Sequence, residues 1–197
     1  MTREIFNERW SLNYPDTVPI SYLFKHDYSD KWFRIHSLPE SKRYAENDAE
    51  WEILLSRQNE IITDLFGFDI PILIVTGEYN WGDKTVIHIT EEEEIFKPFA
   101  FVRLDSINLY KVDKEQYDEP QVYRPAFAKT VWKPSRHDKL LREIAIGNVR
   151  AFFVSFDKKV IVAPYDGGID FILKDTSTRN YYKDKYKQYL SEREDGF

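Results

Sequence analysis

VRAFFVSFDKKVIVAPYDGGIDFIL, residues 149–173, holds three apolar runs separated by two short polar breaks. VRAFFVSF and VIVA flank Asp157-Lys158-Lys159, which reads as a tight hairpin, and PYDGG turns the chain into IDFIL. Strands joined by such short turns are neighbours in one sheet, and short turns join antiparallel strands. Upstream and downstream of this block the strands again come in neighbouring runs rather than alternating regularly with helices. The fold class that follows is α+β, a mostly antiparallel sheet with two to three helices packed on it.

Working back from this block, Ser135 stands where it can cap a helix over 136–146, with Leu140, Leu141 and Ile144 as its apolar stripe. Asp138–Arg142 and Lys139–Glu143 are spaced i,i+4, and Gly147-Asn148 stops the helix. FAFVRLD (99–105) and INLYKV (107–112) read as two strands, followed by a surface loop over 113–121. IPILIVT (70–76) is a continuous apolar run too short for most helices, and so a central strand. KTVIHIT (84–90) reads as a further strand.

The clearest helix is 48–66. Asn47 caps it, Glu50 occupies the third position of a capping-box variant, and Gly67 ends it as a left-handed residue. Trp51, Leu54, Leu55, Gln58, Ile62 and Leu65 fall on one stripe, with Glu52, Arg57, Asn59 and Glu60 elsewhere around the wheel. KWFRIHS (31–37) alternates, placing Trp32, Arg34 and His36 on an exposed polar face and Phe33 and Ile35 on the other. A short lead helix over 2–10 and a final helix capped by Asp175, with Tyr182, Tyr186, Tyr189 and Leu190 along one side, complete the pattern.

A chain of 197 residues fits one domain, 1–197, and 42% hydrophobic residues supply a sizeable core. Aromatic residues reach 16%, which builds a core of large flat side chains, with an exposed stacking surface as the sharper reading. The net charge of −6 runs against a phosphate-backbone binder, so nucleic acid is disfavoured, while a basic protein partner fits the charge. The absence of cysteine excludes disulfides, thiol catalysis, iron–sulfur clusters and thiolate zinc sites, and fits a reducing compartment. MTREIFNERW has no apolar signal region and no run of about 18 apolar residues occurs, so a cytoplasmic protein outside the membrane is expected.

Catalytic and cofactor fingerprints are missing: no GxGxxG, Walker loop, HExxH, GxSxG or EF-hand loop occurs. His26, His36, His88 and His137 include no i,i+4 pair, so neither a metal nor a cofactor is expected. Three groups of residues remain as candidates. Arg34, His36, Glu40, Lys42 and Arg43 lie on one strand face and its following loop, and a guanidinium beside an imidazole suits an anion. The plainer reading is an edge strand kept soluble by its charges. Tyr165, Asp166 and Asp170 surround Gly167-Gly168, whose freedom to adopt positive φ could bring two carboxylates together for a cation or for acid–base work. Asp-Gly-Gly is also ordinary turn chemistry. Glu91, Glu92, Glu93 and Glu94 form either a solvated turn or an acidic docking patch, with Tyr79 and Trp81 as aromatic anchors.

FRIHSLPESKRYAEN (33–47) followed by a helix, VIVAPYDGGIDFILKDT (160–176) and the closing YLSEREDGF resemble a bacterial family known only as a domain of unknown function, number 3885. The resemblance covers roughly residues 32–67 and 149–197. It implies bacterial origin and one shared domain, and it carries over no catalytic residue.

Two functions are therefore expected to compete. The first is a binding protein, an immunity- or antitoxin-like partner of a basic toxin. The second is a small-molecule enzyme or sensor built on the Arg/His and Asp/Asp clusters. A pocket where both clusters converge favours the second, and a flat acidic-aromatic face favours the first.

Overall fold

Residues Ile72 to Val75 alternate between two separate cores, which places the sheet in the middle of the molecule. The computed structural model describes residues 1–80 and 89–191. In chain order the elements are α1 (Arg3–Asn13), α2 (Phe24–Asp27), β1 (Trp32–His36), α3 (Asp48–Phe66), β2 (Ile70–Asn80), α4 (Ile89–Glu92), β3 (Val102–Arg103), β4 (Ile107–Asn108), α5 (Leu109–Val112), β5 (Val122–Trp132), α6 (Asp138–Ala145), β6 (Ala151–Ser155), β7 (Val160–Tyr165), β8 (Gly168–Ile172) and α7 (Thr176–Lys185). The described strands form one sheet ordered β1-β8-β7-β6-β2-β5-β3, with β4 also paired to β5. Every pairing is antiparallel, and the fold is α+β.

Helices cover both faces of the sheet. On one face, α3 and α6 pack with Tyr186 against Phe33, Ile35, Ile72, Ile74, Phe153, Val162 and Phe171. On the other, Phe6, Trp10 and Tyr14 of the first helix and its C-cap, spaced i, i+4 and i+8, pack with Phe24 and Tyr28 against Leu73, Val75, Phe152, Val154 and Ile161. Period-2 alternation sends successive strand residues into opposite cores. Two covered faces explain why the central strands read as unbroken apolar runs.

Local signals set several boundaries. Asn47 accepts a hydrogen bond from the Glu50 N–H at 3.0 Å, and Glu50 in turn accepts from the Glu46 N–H at 2.8 Å. Asp175 caps α7 in the same way, and the Thr178 N–H pulls its carboxyl down to about 2. Gly67 has the positive φ expected, 88°, but with an extended ψ of 172° rather than a left-handed turn. The lead helix runs on to Asn13.

Elsewhere tertiary structure overrode the local reading. FAFVRLD and INLYKV supply only two-residue strands, and Leu109–Val112 turns helical behind an Asn108 cap. The strand Val122–Trp132 escaped sequence reading because Pro125 sits inside it, where proline cannot donate to the ladder. Pro125 pairs with Gly77, and a Cβ at Gly77 would lie 2.7 Å from the Arg124 carbonyl oxygen, so the two strands meet at this point only around glycine. Ser135 does not cap α6. It adopts a left-handed φ of 63°, and the helix starts at Asp138 behind His137. Asn59, placed off the apolar stripe by its spacing, is buried, and it donates to Asp138 at 2.8 Å and accepts from the Ser135 N–H at 2.7 Å. The expected strand 84–90 falls outside the described residues over 84–88, and its last two residues open α4.

Candidate functional site

Strand register makes the first contact of the site. Arg34 on β1 stands directly opposite Asp170 on β8, on the sheet face that carries Trp32 and Ile172. The guanidinium meets the carboxylate in a two-point fork, Nε to Oδ1 at 2.7 Å and Nη2 to Oδ2 at 2.8 Å. Trp32 Nε1 donates to the same Oδ1 at 3.0 Å. The rings of Tyr165 and Trp32 lie 4.6 Å and 5.5 Å from the guanidinium carbon. Burial works against the charge on Arg34, but the Asp170 hydrogen bonds and charge outweigh it, and its pKa is raised. The polar face of β1 is thus covered at Arg34, contrary to the exposed face its alternation suggests, with only 13% of that side chain accessible.

Asp166, in the turn between β7 and β8, accepts from Arg43 Nη2 at 2.5 Å and from the Tyr44 hydroxyl at 3.0 Å. These contacts pin the loop after β1 to that turn. The two carboxylates are therefore not a pair, because each is held by a different arginine. Nor does the turn use left-handed glycines: positive glycine φ among the described residues occurs at Gly67 and Gly147. What Gly168 supplies is close approach, since a Cβ there would lie 2.0 Å from the Ile35 carbonyl oxygen on β1.

Arg34, Arg43, Tyr165, Asp166 and Asp170 share the wall of one cavity of about 350 Å³. The two polar clusters meet there. Other polar residues of the wall were not visible in the sequence: Tyr22 just before α2, Lys25 within it, and Arg150 just before β6. Burial and then the charge of Arg34 lower the pKa of the Lys25 ammonium. Burial pushes the Tyr165 hydroxyl up to about 12. No periodicity or motif marks Lys25 or Arg150, because only sheet order and the N-terminal crossover bring them to Arg34.

His36 and Glu40 do not line this cavity. They face an adjoining cleft with Arg57 of α3 and with Tyr189 and Leu190. Burial first, then Arg34, lowers the His36 pKa, and its Nε2 is buried without a hydrogen-bond partner. Arg57 donates to the His36 carbonyl oxygen at 2.8 Å.

The acidic candidates line neither recess, and Tyr79 reaches the cavity wall through Arg150. Tyr79 packs on Tyr123 with ring centroids 4.9 Å apart. Glu91 is ion-paired with Arg103 and Glu94 with Lys97, while Glu92 and Glu93 are exposed. Trp81 lies outside the described residues. No helix among the described residues is long and apolar enough to cross a membrane.

Comparison with known proteins places the chain in a family. Residues 20–194 match the model of the family described as Domain of unknown function (DUF3885), and the chain belongs to that family. No curated protein and no solved structure matches it.

Proposed function

We propose that this DUF3885 member binds a small anionic molecule, of the phosphate-bearing class, in the cavity between β1, β8 and the N-terminal segment. One observation carries the reading. In a protein of net charge −6, four cationic side chains, Lys25, Arg34, Arg43 and Arg150, and two carboxylates stand among the described residues that line one cavity. Both carboxylates already accept from arginines, so the local excess is positive and the chemistry left over is recognition of negative charge. A volume of about 350 Å³ lies at the lower end of the range of small-molecule sites. The Arg34–Asp170 fork, clamped between two rings, gives the recess a wall that need not reorganise on binding.

The competing reading is a basic protein docked on Glu91–Glu94. Net acidity and the exposed Glu92 and Glu93 support it. The cavity reading is preferred because Glu91 and Glu94 already hold cations of their own, which weakens the field a partner would meet.

Calorimetric titration with inorganic phosphate, pyrophosphate and nucleoside phosphates tests the proposal, beside Lys25→Gln and Arg150→Gln. Binding that weakens about tenfold in each variant and falls with salt is expected. Wild-type protein that ignores every one of these anions, or variants that bind as tightly as wild type, would sink it.

A further inference from the structure

The cleft beside the cavity has its own chemistry. Its walls include His36, Leu38, Glu40, Arg57, Tyr189 and Leu190, and its volume is about 630 Å³. Arg57 is half-buried with its guanidinium carbon 3.9 Å over the Tyr189 ring, and the groups that it meets across the cleft, the His36 carbonyl and the Tyr189 side chain, are neutral. No carboxylate of the described residues lies within ion-pair distance of it. Burial lowers the pKa of this guanidinium, and Tyr189 and then the charge of Glu60 offset that only in part, so a carboxylate at contact distance would be welcome. The same cleft carries an opposite charge at its rim: Glu40 has no cation within ion-pair distance among the described residues. Glu40 and Ser41 are both held in left-handed backbone, φ 54° and 56°, a conformation that persists only where surrounding structure fixes it. The same wall includes Leu38, Leu190 and the Tyr189 ring, and the unpartnered Nε2 of His36 is buried within it.

A simple anion in this cleft would satisfy Arg57 but be repelled by Glu40, and a simple cation would meet the reverse. A molecule carrying both charges on an apolar body satisfies each wall. We propose that this cleft is a second binding site, distinct from the anion cavity, and that it takes a small zwitterion of the amino-acid class. The ligand carboxylate pairs with Arg57, its ammonium with Glu40, and its apolar side chain lies along Leu38 and Leu190.

The probes are leucine and phenylalanine, with isocaproate as the analogue lacking the amino group and isoamylamine as the one lacking the carboxylate. Binding is read from the His36 ring signals in imidazole-selective nuclear magnetic resonance spectra and from thermal melting. At least one amino acid should move the His36 signals below about 10 mM, with each single-charge analogue about tenfold weaker. Glu40→Gln, an exposed change, should weaken the amino acids and, by removing the repulsion, strengthen isocaproate, so that the two bind alike. Arg57→Gln should weaken the amino acids and isocaproate together. The proposal is overturned if neither amino acid moves the His36 signals, if isocaproate binds as tightly as leucine, or if Glu40→Gln binds leucine unchanged.

Discussion

Arg34 and Asp170 are cross-strand partners of β1 and β8, joined by a two-point fork at 2.7 and 2.8 Å and only 13% and 11% accessible. The pair joins the edge strand to the sheet and forms one wall of the anion cavity at once. Its geometry decides what each partner's removal does.

Removing one partner takes from the other its two-point fork. Asp170→Ala removes the carboxylate that the covered Arg34 guanidinium and Trp32 Nε1 both donate to, and should cost about 3–5 kcal/mol in denaturant unfolding. The double change Arg34→Met with Asp170→Leu should recover most of that stability while abolishing anion binding. Equal destabilisation by the single and double changes would show that the pair contributes attraction beyond compensating its own burial.

Among the described glycines Gly168 has the least room, with a Cβ position 2.0 Å from the Ile35 carbonyl oxygen. Since the obstacle is backbone, Gly168→Ala should push β1 from β8 and cost at least about 1–3 kcal/mol, with loss of anion binding. Gly77→Ala meets the Arg124 carbonyl oxygen at 2.7 Å and should cost a similar amount while sparing the cavity. Anion titration of both variants separates the two cases, and normal binding by Gly168→Ala would contradict the assignment.

Asn59 joins α3 to the start of α6 through two hydrogen bonds, to Asp138 and Ser135, and donates a third to the Leu55 carbonyl within α3. Asn59→Leu leaves the Ser135 N–H and the Asp138 carboxylate without that partner, so a loss of about 1–3 kcal/mol is expected. Asn47→Ala, which removes only the helix cap, should cost about 1 kcal/mol. Hydrogen exchange should place the Asn59→Leu effect at residues 135–141 and the Asn47→Ala effect at the first turn of α3.

Two histidines make the fold acid-sensitive. Burial lowers the pKa of His137, which stacks on Phe99 and Trp132, and burial with Arg34 lowers that of His36. In the unfolded chain each titrates near its ordinary value of about 6.5. Between that value and the lower folded one the unfolded state binds more protons, so stability is complete above about pH 6.5 and falls as the pH drops below it. Urea unfolding at about pH 7.5 and about pH 5.5 should show the loss, and His137→Gln should flatten the slope. A pH slope identical in that variant would exclude His137 as a source.

The sequence by itself determined what depends on near neighbours. The hairpins of 149–173, the Asn47 and Asp175 caps, the span of α3 and the alternation of β1 all rest on residues a few positions apart, whose local preferences the fold obeys. It also marked Arg34, Arg43, Tyr165, Asp166 and Asp170, because polar side chains on a strand face and beside a glycine turn stand out against apolar neighbours. Only the tertiary structure decided that Arg34 faces Asp170, that His36 and Glu40 belong to a different cleft, and that Lys25 and Arg150 complete the cavity. Strand register and the crossing of the N-terminal segment bring together residues more than a hundred positions apart, and no short-range pattern encodes such a meeting. The strand 122–132 was hidden for a related reason: its proline argues against a central strand, and only the pairing with β2 along its whole length shows one.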